Sequence, residues 1–172
     1  IIEIQPQNMD FSSFVTFLNA DMKVDLPIYL KSHSSVSTSF KTVGDIVTYN
    51  KQDSVLRIPY GQALFEGIVA ETISKEDFER LKIKFNKDAV SFFETPIQEH
   101  KLDAILSINN YNSGHAAMAQ YPCLTVPMGY TDLGEPVGIT FITRPFEEGK
   151  LLQIGYAFEK EFPIRISPKG FN

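Results

Sequence analysis

The sequence predicts an α/β fold, with short buried strands in its last third and helices before, between and after them. Three observations carry this. Brief apolar runs at 104–108 and 124–126 stop at breakers, the second lying between Pro122 and Pro127, as buried strands do. Residues 137–143 are rich in β-branched and aromatic types and follow Asp132, Gly134 and Pro136, which supply turn geometry, so adjacent antiparallel strands are expected. Over much of the remainder, apolar residues recur at helical spacing.

Taken in order, residues 1–4 (IIEI) read as a strand. With no charged leader or cleavage site ahead of it, the chain is expected to open inside a domain. Phe11, Phe14, Val15, Leu18 and Met22 then follow helical spacing behind Asn8 and Asp10, and Pro27 starts or kinks a further turn through Leu30. A Ser/Thr-rich loop from Ser32 ends at Thr42, an N-cap with Asp45 three residues on as an acidic capping box, ahead of a helix at 43–51. Residues 62–70 form another short helix. Ser74 caps a long one, with Ile73 stapling Phe78, whose buried face is Phe78, Leu81, Phe85, Ala89 and Phe92, ending near Pro96. Beyond the strands, Glu147 and Glu148 suit a helix N-terminus, and Leu151, Gly155, Phe158 and Phe162 mark the face laid on the sheet.

Composition sets outer limits. With 172 residues, 43% hydrophobic and 12% aromatic, the chain can bury a sizeable core, and 1–172 is expected to form a single unit. A formal net charge of -5 without a Lys/Arg cluster argues against nucleic acid as a partner. No apolar run approaches the roughly 20 residues that span a bilayer, so no membrane partner and a soluble, cytoplasmic protein are expected. The single cysteine, Cys123, excludes an internal disulfide framework and is expected to be a buried packing residue rather than a nucleophile. No His, Asp, Glu or Cys set has metal-ligand spacing, and no metal or other cofactor is expected.

Three features invite a chemical reading. The loop with His33, Ser35 and Lys41 resembles a Ser/Lys pair, but it has no glycine-rich oxyanion segment, and clustered serines more often bond local backbone. His115 stands at a helix start, where a cap or packing role competes with a functional one; His100, between Glu99 and Lys101, reads as a solvated helix end. The third is Asn109, Asn110, Tyr111, Asn112 and Ser113, directly after the strand at 104–108. Polar groups at a strand end in an open α/β sheet sit where ligands bind, though an Asx-rich turn has the same composition.

Several segments resemble the amidase signature family: DAIL at 103–106, AAMAQYP at 116–122, LTVPMG at 124–129, GEPVGI at 134–139 and LLQIGYAFE at 151–159. DLPIYL at 25–30, TVGDI at 42–46 and YGQ at 60–62 resemble the middle of its peptide-amidase-like branch, so the likeness runs along most of the chain. The resemblance implies the C-terminal part of that fold, short strands of a mixed sheet flanked by helices, and hydrolysis of carboxamide C–N bonds. In the family a serine attacks the carbonyl, a second serine and a lysine relay the proton, and glycine-rich backbone amides hold the oxyanion. This chain has no Gly-Gly-Ser-Ser-Gly-type run, so no catalytic residue is carried over.

What carries over is pocket wall, with Asn109, Asn112 and Ser113 as candidate substrate-binding residues. The implied partners are the N-terminal part of the same amidase and a small amide substrate, with a homo-oligomer a further expectation. Where relatives commonly have Pro-Thr after the strand, this chain has Ile108-Asn109, and the loop to the next helix reads as shorter. An alternative reading stays open, that of a complete non-catalytic binding module on the same scaffold.

Overall fold

The structure, a computed structural model, describes residues 1–33 and 39–167. They fall into two compact units, one of residues 10–83 and one of residues 1–9 with those from 84 onward.

The first unit is helical. It contains α1 (Phe14–His33), α2 (Val43–Lys51), α3 (Ser54–Arg57), α4 (Ala63–Ala70) and the start of α5 (Lys75–His100). The capping box at Thr42 forms as the sequence predicts. Asp45 N–H donates to Thr42 Oγ1 at 3.2 Å, and Asp45 Oδ2 accepts from the Thr42 and Lys41 amides at 2.9 and 2.8 Å. Phe17, Ala20, Val43, Val47 and Ile68 supply the buried side chains, with Phe17 stacked on Phe78. Lys23 Nζ donates to the Val69 and Glu71 carbonyls at the end of α4, which satisfies acceptors a helix terminus leaves open. Pro27 lies inside α1, which continues through it to His33 instead of restarting there.

In the second unit Ala89, Phe92, Phe93 and Ile97 of α5 pack with Ile105, Ala116, Ala119, Tyr121 and Ile142. The helix runs on through Pro96, which is itself buried, so the expected end near that residue is displaced to His100. Three strands follow: β1 (Ile105–Ile108), β2 (Cys123–Tyr130) and β3 (Pro136–Ile142). The order is β1-β3-β2, and both neighbours are antiparallel to β3. The short helix α6 (Ser113–Ala119) joins β1 to β2, and α7 (Glu148–Glu161) follows β3. The two faces differ. Leu124, Val126, Ile139 and Phe141 meet Leu151, Ile154 and Phe158 of α7, while Ile105 and Ile142 face the α5–α6 core.

Three local expectations are corrected. Residues 1–4 form no strand: a strand exists only where a neighbour takes up its backbone groups, and this segment joins no ladder with the described strands, although Ile4 packs on the core. β2 does not stop at Pro127 but continues to Tyr130 through an irregularity between Pro127 and Gly129; it has one strand neighbour, so a residue without an N–H is tolerated. Cys123 is exposed rather than buried, at the start of this outer strand.

Candidate functional site

β1 ends at Ile108, and the polar segment after it is shaped by Asn109. This residue takes the left-handed backbone conformation, φ 48°, which Asn tolerates better than most side chains. Its N–H donates to Gly138 O at 2.8 Å, and its side-chain Oδ1 accepts from Gly138 N–H at 2.7 Å. Its own carbonyl accepts from the Thr140 hydroxyl. Thr140 Oγ1 also lies 2.7 Å from Thr125 Oγ1. Since Thr140 has one hydroxyl proton and gives it to Asn109, Thr125 is the donor in that second bond. A polar line thus crosses the sheet from Asn109 through β3 to β2, with Ser107, opposite Thr140, buried beside it.

The chain then turns. Tyr111 N–H donates to Ile108 O and Ser113 N–H to Asn110 O. Asn112 is the N-cap of α6 by position: its carbonyl accepts from Ala116 N–H, and its side chain makes no cap bond. Asn112 is half-buried, Ser113 exposed and Tyr111 exposed. The three candidates therefore share one turn, but Asn109 Oδ1 is engaged by the sheet. Neither of two surface concavities in this unit includes them. One, of about 460 Å³, is lined by Pro127, Tyr156, residues 159–160 and residues 162–165; the other, of about 400 Å³, by residues 1–4, 104–106 and neighbours.

His115 packs rather than projects. Its ring stacks on Phe92 with centroids 4.2 Å apart, and burial lowers its pKa, which favours the neutral ring. In the Ser/Lys loop, Ser32 Oγ donates to Ile28 O at 2.8 Å and pairs with His33 Nδ1, while Lys41 N–H serves the α2 capping box. Ser35 lies outside the described residues. Among the described residues no group of three or more His, Cys, Asp or Glu is placed to hold a metal ion. No helix of the described residues is long and apolar enough to cross a membrane.

The sequence reading missed one polar cluster. Glu94 of α5 accepts from Arg144 Nε and Nη2 at 2.7 and 2.9 Å, from Tyr121 Oη at 2.6 Å and from Gln98 Nε2 at 3.0 Å. It also missed Thr125 and Thr140, whose pairing depends on strand register and has no local signal.

The chain matches no protein-family model. A probable amidase of Arabidopsis thaliana is 33% identical over 156 residues, covering 88% of this chain and 30% of that protein. The crystal structure of an amidase family protein from Bacillus anthracis superposes on 98% of the chain with a TM-score of 0.86 at 34% identity, covering 33% of that structure. The chain is homologous to the amidase signature proteins. Among other amidase signature relatives, the peptide amidase of Stenotrophomonas maltophilia superposes with a TM-score of 0.79 at 26% identity over 92% of this chain and 35% of that one. A glutamyl-tRNA(Gln) amidotransferase polypeptide of Thermodesulfovibrio yellowstonii is 28% identical over 148 residues, 80% of this chain and 29% of that polypeptide. The chain spans about a third of the length of these amidase signature proteins.

Proposed function

We propose that this chain is the C-terminal part of an amidase that hydrolyses carboxamide C–N bonds through a Ser-Ser-Lys acyl-enzyme mechanism, and that it supplies scaffold and pocket wall. The observation that carries the reading is the superposition of 98% of the chain on one third of an amidase family structure at 34% identity. The sequence has no Gly/Ser-rich nucleophile segment, which agrees with the nucleophile, relay serine, lysine and oxyanion amides lying N-terminal to this stretch in the same protein. There the serine Oγ would add to the amide carbonyl, the amine would leave with a proton relayed by the second serine and lysine, and water would release the acid. Asn109, Asn112 and Ser113 would border the space the small amide enters. We place the protein in the cytoplasm, with which the free thiol of Cys123 is in keeping.

The test compares the purified chain with the longer protein containing it, on propionamide, hexanamide and benzamide. The expected outcome is acid release by the longer protein and none by the chain alone. Turnover by the chain alone, lost on Ser35→Ala or Lys41→Met, would overturn the reading.

A further inference from the structure

At the end of β1 a side chain stands where a strand residue would be. At the hydrogen-bonded positions of an antiparallel ladder, which alternate with non-bonded ones, two opposed residues exchange both backbone bonds, each N–H donating to the other's carbonyl. Continuing the β1–β3 register past Ile108↔Ile139 sets Asn109 opposite Gly138. The first bond of that exchange is present, Asn109 N–H to Gly138 O at 2.8 Å, but the second runs from Gly138 N–H to the Asn109 side-chain carbonyl at 2.7 Å. The left-handed backbone turns the main-chain carbonyl of Asn109 away, to the Thr140 hydroxyl. The ladder on β3 is thereby completed without an orphaned group, while the chain leaves the strand in one residue.

Asn109 is tied at three atoms to β3, and the next turn is built on it. Close approach is part of the arrangement. A Cβ on Gly138 would lie 2.7 Å from Thr125 Cγ2, so the glycine lets the Thr125–Thr140 pair lie against the bonds that hold Asn109. Gly138 N–H already takes one of the two lone pairs of Oδ1 and fixes its direction toward β3.

We propose that Asn109 is a positioning residue rather than a substrate contact, substituting for a strand residue opposite Gly138 and so fixing the places of Asn112 and Ser113. This deepens the amidase reading and rests on it. The two variants that decide it differ in one atom's role. Asn109→Asp keeps an acceptor for Gly138 N–H and loses the amide NH2; Asn109→Gly keeps the left-handed backbone and loses the acceptor.

The first measurement is amide hydrogen exchange on this chain. Asn109→Gly is expected to speed exchange at Gly138, Tyr111 and Ser113 by up to about tenfold, the scale of one lost hydrogen bond, with Asn109→Asp close to the parent. The second uses the longer amidase with propionamide, hexanamide and benzamide: Asn109→Gly raises KM about tenfold while kcat changes less than about threefold, and Asn109→Asp restores KM. Equal damage by Asp and Gly would show that the amide NH2 is what matters and overturn the proposal, as would unchanged exchange at Gly138 in Asn109→Gly. If the longer protein hydrolyses none of the three amides, the amidase reading fails, and exchange at Tyr111 and Ser113 alone decides whether Asn109 positions the turn.

Discussion

Glu94 shows how one side chain can hold several parts of a fold. Its carboxylate receives both arms of the Arg144 guanidinium, the Tyr121 hydroxyl and the Gln98 amide, linking α5 to the segment after α6 and the segment after β3. The Arg144 bonds are the main reason its pKa falls from 4.5 to about 2, with burial acting in the opposite sense. Burial and the same carboxylate push the Tyr121 phenol above its usual value. Because the folded pKa lies below the unfolded one, the stabilisation is complete above pH 4.5 and is lost as pH falls toward 2. The pair is partly solvated, so the discounted size is about 2 kcal/mol. Urea unfolding across that pH window should show a steeper loss in the parent than in Glu94→Gln, which starts less stable and keeps the contributions of Asp45 and Asp77, whose pKa values are also lowered; parallel curves would refute the assignment. This cluster was invisible in the sequence, where Glu94 is one charge among many on α5 and Arg144 lies fifty residues away. Asn109 was legible as a polar residue at a strand end, but its bonds to Gly138 depend on register.

At the scale of elements, what the sequence made legible were features with local chemistry: the Thr42–Asp45 box, the Ser74 cap, whose Oγ accepts from Asp77 N–H at 3.0 Å, and the strand rich in β-branched and aromatic residues after Pro136. What it hid were places where packing overrides a local preference. Pro27 and Pro96 read as boundaries because proline removes a helix hydrogen bond, yet both lie within continuous helices, Pro96 among the buried residues. Residues 1–4 have strand-forming types and no ladder. Gly155 tests how closely α7 sits on the sheet. A Cβ there would come 2.4 Å from Leu124 Cδ2 and 3.7 Å from Val126 Cγ1. Alanine displaces the flexible end of Leu124 and regains helix propensity, so it should be close to neutral. Gly155→Val has no such outlet and should cost about 1–3 kcal/mol by overpacking. Combining it with Leu124→Ala should recover part of the loss in thermal unfolding, whereas simple additivity would mean the two residues do not meet.

Over the whole molecule, the fold class and the likeness to amidases were both readable, because strand and turn residues cluster in the last third and the DAIL, LTVPMG and GEPVGI segments lie there. What composition could not reveal is how much apolar surface stays open. α1 buries only Phe17 and Ala20 on one side, while Val15, Leu18, Met22 and Tyr29, spaced as a stripe on the opposite side, are 43–61% exposed. On β1 Leu106 and Ile108 are more than 40% exposed, and on α7 Leu152 and Tyr156 more than 60%. Single exposed apolar residues are ordinary, but a stripe repeated along one helix is a surface shaped to be covered. Removing that area from water favours association at roughly 25 cal/mol per Å² before the entropic cost of joining two chains. The isolated chain should therefore self-associate. Sedimentation velocity across a hundredfold concentration range should give a rising weight-average coefficient, and an apolar dye should bind. Leu18→Asp with Met22→Asp should weaken both effects while leaving Phe17 and Ala20 in place. A monomer at every concentration, with no dye bound, would mean that these side chains are too scattered to act as a surface.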